Sequence, residues 1–308
     1  LQAISTTALA AMTTAQVTGL TSSEVSALAS NMTLQQLSVL TTAQADGLTG
    51  ATLSSLSSAQ LAAISTREIA SISSSELANM TSTQLRRLTP LQVTALSTDA
   101  VAALATGLST AQLMALSSQQ VAGLTTATLN ALSATSTAQL QALSGKVMAA
   151  MSTDQLAAIA TQSLSALTTT QVGALRSDQL PVVVSQLSAN QIKALSSAQL
   201  SALGSTQLQA LNSSQLQALS ASAIAGLSTD QVASLQSSQV ALLTSTQVTA
   251  LSASQLPVVL SQMTTSELKQ LSKAQAVALN ASSLSALTSS QLQAISTTAL
   301  AAMTTAQV

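Results

Sequence analysis

Aliphatic residues recur along this chain in pairs three apart, and each pair returns after eight residues. From Ser196 to Leu219 the chain reads Ser-Ser-Ala-Gln-Leu-Ser-Ala-Leu, Gly-Ser-Thr-Gln-Leu-Gln-Ala-Leu, Asn-Ser-Ser-Gln-Leu-Gln-Ala-Leu. Numbered 1 to 8, the octad carries Ser, Thr or Asn at position 1, Gln or Glu at 4, aliphatic residues at 5 and 8, and usually Ala at 7. A Ser or Thr N-cap followed three residues later by Gln or Glu is a capping box, in which each side chain satisfies the other residue's backbone N–H. The aliphatic pair supplies a hydrophobic staple, because position 8 precedes the next N-cap and position 5 is the fourth helical residue. Leu195 is thereby expected to reach over Ser196 to Leu200, and Leu203 over Gly204 to Leu208.

The period excludes the simpler architectures. On one continuous helix the leucines would drift ~80° per octad, and no apolar stripe would survive. A β-solenoid fails because positions 5 and 8 would point to opposite faces of a strand. What remains is an all-α solenoid of very short capped helices, one per octad, each roughly seven residues and ~10 Å long. Helices under about 12 residues are marginal alone, so each must lean on its neighbours in a superhelical stack. The charges fit this register. Glu24, Glu68, Glu76 and Glu267 fall at position 4 and Asp99, Asp154, Asp178 and Asp230 at position 3, near helix N-termini that favour anions; Asp46, at position 6, departs. Pro90 falls at position 2, where its missing N–H is not needed.

Longer units interrupt the octads at 29–40, 105–116, 133–143, 176–187 and 252–263, and these read as corners or loops in a single array over 1–308. Pro181 and Pro257 fall inside would-be helices of two of them, so the chain is expected to bend there. The starts at Ala29 and Ala105 lie 76 residues apart, as do those at Arg176 and Ser252, with steps of 71 and, on return, 68 between the pairs. Residues 292–308 repeat 1–17 without a change, an offset of 291, so the pattern restarts. The four near-equal quarters are expected to be turns or edges of a superhelix, or else the residue of insertions in a duplicating gene. Both ends lie inside ordinary units, which reads as a fragment of a longer tandem array.

Composition then limits the chemistry. The 308 residues are 47% hydrophobic and 6% charged, with net charge −1 and no Cys, His, Phe, Tyr or Trp. No apolar run is long enough to span a membrane. With no His or Cys, nucleophilic triads lack a base and structural metal sets lack ligands. Lys146, Lys193, Lys269 and Lys273 have neutral neighbours and read as solvated surface. Glu68 and Glu76 lie one octad apart, but capping accounts for both without acid–base work. Glycines are scattered over octad positions, so no phosphate loop is visible, and Arg86-Arg87 alone makes no basic stripe for nucleic acid. The expectation is no catalytic, cofactor-binding or metal residues, no cofactor and no enzyme. Four sequons start at Asn31, Asn79, Asn212 and Asn280, of which Asn212 and Asn280 also sit at N-caps. Exposed hydroxyls at positions 2 and 3 are candidate carriers of O-linked sugar.

The run Leu-Ser/Thr-Ser/Thr-x-Gln-Leu/Val-x-Ala-Leu resembles the octapeptide arrays of very large bacterial surface or secreted proteins of adhesin-like type. Leu88-Thr-Pro-Leu-Gln-Val93 echoes a phrase of TAL-effector repeats, whose period is about four times longer. The octapeptide resemblance implies an extracellular or cell-surface structural protein that forms a filament, stalk or sheath by self-association or tandem continuation. The alternatives are a binding module that uses a solenoid face, or an ice- or mineral-surface binder that uses rows of Thr.

Overall fold

A computed structural model describes residues 4–159, 161–305 and 307. It is an all-α solenoid of short helices, and among the described residues it holds no strand. The helices run four to seven residues, with one of ten at Thr126–Thr135. Most begin as the octad requires, although those after Ser136, Gln179, Gly204 and Gln255 have no side-chain cap. At Ser196 the hydroxyl accepts the Gln199 N–H at 3.2 Å, while Gln199 Oε1 accepts the Ser196 N–H at 2.9 Å. Each ends by the residue at position 8, whose N–H closes onto the carbonyl of position 5, as Leu96 does on Val93 at 3.2 Å. Position 8 then turns extended, with ψ of 130° at Ile64, 130° at Leu219 and 127° at Leu251. The helices fall short of seven residues because this tighter closure takes up the last turn.

The chain divides into two compact units, Leu1–Ser163 and Leu164–Val308, where the sequence reading runs one array throughout. Within each unit a second bond of the position-4 glutamine joins the coil. Gln36 donates its Nε2 to the carbonyls of Leu9 at 2.7 Å and Met12 at 3.1 Å. Gln92 donates to Leu61 at 2.7 Å and Ile64 at 2.8 Å, and Gln247 to Leu216 and Leu219, both at 2.8 Å. The acceptors are positions 5 and 8 of the helical segment four places earlier in the chain. Helices three places apart pack side by side, as Ser74–Ala78 does on Thr98–Leu104. A turn of the coil therefore holds between three and four segments. Leucine and valine at positions 5 and 8 fill the inside, from Val17 and Leu20 through Leu216 and Leu219.

The long units are not corners. Four of the five are an octad spliced to a four-residue segment that holds a 3-10 turn, the turns being Ala29–Asn31, Ala105–Gly107, Val184–Gln186 and Leu260–Gln262. Such a turn counts as one full segment of the coil. With it in the path the glutamine bonds span 24 and 27 residues, as from Gln44 to Leu20 and Val17. Without it they span 28 and 31, as from Gln92, and the spatial relation stays the same. The inserts begin at 29, 105, 184 and 260, so their spacings are 76, 79 and 76 residues. The three extra residues of the middle interval belong to the 133–143 unit, which is no bend either: they lengthen the helix Thr126–Thr135. Pro181 and Pro257 do not break a helix. Gln179 and Leu180 both close onto the Arg176 carbonyl, and the helix Leu180–Val183 starts late enough to hold Pro181 in its first turn. Leu256–Val259 holds Pro257 in the same way, where no N–H is required.

Candidate functional site

The feature that sets this solenoid apart is the glutamine rung, built from one side chain used at both ends. Gln199 is 5% exposed; its Oε1 accepts from the Ser196 N–H and hydroxyl, and its Nε2 donates to Leu175 at 2.7 Å and Val172 at 3.2 Å. A buried amide with both ends bonded adds stability and fixes which turn lies against which. The capping half was legible in sequence, but the rung half was not. Its signal was the preference for Gln over Glu at position 4, since a capping box accepts either and only Gln has a donor to spare.

The rung fails in a regular way. Where a helix runs straight on into a 3-10 turn, its position-8 residue stays helical, with ψ of −18° at Leu28, −13° at Leu104, −19° at Val183 and −6° at Val259. The carbonyl that would accept a rung is thus rotated away. The position-4 residues four segments later are Thr52, Thr128, Gln207 and Ser283. Thr52 meets the Ser26 hydroxyl at 3.1 Å and Thr128 donates to the Ala102 carbonyl at 3.4 Å, short side chains suited to the altered target. Gln207 keeps the amide but makes no rung.

Two glutamates occupy rung positions inside the protein. Glu68 is 4% and Glu267 3% exposed, and Glu68 Oε2 and Glu267 Oε1 have no hydrogen-bond partner. Glu267 Oε2 serves the cap, accepting the Thr264 N–H at 2.6 Å and its hydroxyl at 2.8 Å. The other oxygen lies where a glutamine would offer a donor. Glu76 is only half-buried and accepts from the Ser73 hydroxyl at 3.3 Å. Glu24, also half-buried, is held below the usual carboxylate range by the backbone N–H and then the hydroxyl of Thr21.

Other charged residues lie on the surface. Lys146, Lys193, Lys269 and Lys273 are exposed. Arg87 donates to the Leu56 carbonyl at 3.1 Å and Arg86 to that of Gly107 at 3.4 Å, so both guanidinium groups touch backbone ends of the coil. Arg176 and Asp178 form an ion pair at 2.9 Å, and the bond from Arg176 lowers the Asp178 carboxyl. Among the described residues no group of three acidic side chains could hold a metal. A cavity of about 450 Å³ lies among Arg86, Thr106, Ser109, Ser136 and Gln139 and contains no carboxylate. The sequons divide as read: Asn212 and Asn280 cap helices through Oδ1, at 3.0 and 2.8 Å, while Asn31 and Asn79 are exposed. Many Thr hydroxyls of position 1 are engaged in caps, as Thr13 is with Gln16 at 3.1 Å, and so cannot present a free row. Among the described residues no helix is long and apolar enough to cross a membrane.

The ALTTAQ repeat family model matches residues 148–182, 184–213 and 208–245, three repeats in tandem. In those residues the chain is similar to that family and is a repeat array. No curated protein matches the chain.

Proposed function

We propose that this chain is a structural repeat protein that builds an extracellular filament, stalk or sheath at a bacterial surface, with adhesin-like arrays as its nearest analogue. The observation that carries this reading is the rung rule. Bonds of the same kind join segment to segment four places on, whether 24 or 28 residues intervene, so length is added without altering the lateral geometry. Such a construction serves extension or surface rather than turnover. Further copies of the same repeat are the partner it fits, joined in tandem or by association. The exposed Ser and Thr at positions 2 and 3 suit O-linked sugar in that setting. Electron microscopy of the native material tests the reading: periodic fibres are expected, and dispersed single particles would overturn it.

A further inference from the structure

We infer that each unit of this solenoid yields to tension one coil turn at a time and that the glutamine rungs set the order in which turns let go. The inference rests on the structural role proposed above and gives it a mechanical form. The hydrogen bonds described here between segments reach only three or four places along the chain. Gln247 meets Leu216 and Leu219 in this way, and on the surface Gln209 Nε2 meets the Ser234 carbonyl at 2.8 Å. A turn at the edge of such a stack opens without disturbing those beyond its neighbour, as in other quasi-one-dimensional folds. The chain contains no cysteine, so no disulfide limits how far it draws out.

The length let go at each step follows from the coil. Four octads make 32 residues, and three octads with a 3-10 insert make 28. At about 3.4 Å per extended residue, each step adds roughly 100 Å of contour. The order follows from the rungs. The unit Leu1–Ser163 has rungs too, as from Gln36, Gln44, Gln60, Gln92 and Gln155, but it leaves three successive segments, at Glu68, Glu76 and Gln84, without a glutamine rung. In the unit Leu164–Val308, Gln191, Gln199, Gln215, Gln231, Gln239, Gln247 and Gln255 each donate to carbonyls of the preceding turn. In the second unit the gaps at Gln207, Ala223, Glu267, Ser283 and Ala299 each stand singly between rungs, so the first unit, over residues 68–84, is the compliant one.

Stretching the 308-residue chain between its termini in optical tweezers tests this. The expected record is a staircase of roughly 100 Å contour increments, reversed on relaxation. A single all-or-none rip releasing a whole unit would overturn the proposal. Gln239→Met combined with Gln247→Met lowers the tension of the late steps towards that of the early ones. Glu68→Gln combined with Glu76→Gln raises the tension of the early ones, and this pair decides the matter if the methionine pair does not fold. Steps at unchanged tension in the glutamine-repaired chain would overturn the assignment of the order to the rungs. A staircase from material that forms no fibre would remove the filament reading alone, and fibres whose chains rip in one event would remove this inference alone.

Discussion

The units Leu1–Ser163 and Leu164–Val308 use the same octad and the same aliphatic core, yet they are stitched differently. In the second, glutamines from Gln191 to Gln307 supply rungs broken only by single gaps, at Gln207, Ala223, Glu267, Ser283 and Ala299. In the first, glutamines such as Gln36, Gln44, Gln60, Gln92 and Gln155 make rungs, but Glu68, Glu76 and Gln84 leave three successive segments without one. Other groups fill some of the openings. Arg87 reaches the Leu56 carbonyl, and the Ser163 hydroxyl reaches Ser133 at 2.7 Å. The difference separates two jobs that the octad sequence fuses: leucines hold the segments together, and amides specify and reinforce the contact between turns.

Measurements that remove one job at a time sharpen this contrast. The largest effect is expected from the core, where the units are alike. Leu216→Ala and Leu61→Ala, both at fully buried sites, should each cost ~2–5 kcal/mol in denaturant unfolding. A much smaller loss at either would show that its column is not core. Next come the rungs, where the units differ. Gln247→Ala takes a donor from the Leu216 and Leu219 carbonyls and an acceptor from the Thr244 N–H and should cost about 1–3 kcal/mol, whereas Gln84→Ala, with a cap bond but no rung, should cost about 1 kcal/mol or less. Equal losses would break the comparison. Glu68→Gln should stabilise the first unit by about 1 kcal/mol by giving the buried orphan a donor, seen as a raised Tm.

The smallest effect is electrostatic. The carboxyl of Glu24 is held below its ordinary range in the folded chain, so it contributes stability above the unfolded-state pKa and loses it as pH falls through the lowered folded value. Tm measured from neutral to strongly acid pH should therefore separate the wild type from Glu24→Gln at neutral pH, with the gap closing in acid. A gap that widens as pH falls would contradict the cap geometry.

How much the sequence disclosed depended on how local each interaction is. The cap at Ser196 and the closure at Leu203 lie within one octad, and both follow from residue type and spacing. The rung from Gln199 to Leu175 joins residues 24 apart whose proximity depends on the coil, and only the bias towards Gln hinted at it. Residue counting reads the long units as corners or loops because it treats four extra residues as an interruption. In space those residues form one more segment, as at Ala29–Asn31. Pro181 misled for a related reason, since octad phase places it mid-helix while the Arg176 carbonyl starts the turn afresh.

Among the described residues none, glycine included, adopts a positive φ. Where an octad is not followed by a 3-10 turn, the stop is made instead by an ordinary extended residue at position 8, such as Leu56 or Leu251, followed by an extended cap. Apart from Gly47, where a Cβ would run into the Ser22 carbonyl, the joints demand no particular small residue, and an ordinary octad is a ready-made splice site. Replication slippage that copies or deletes a whole octad leaves a gene whose product still coils, so such an array can change length within a lineage while its cross-section is inherited unchanged.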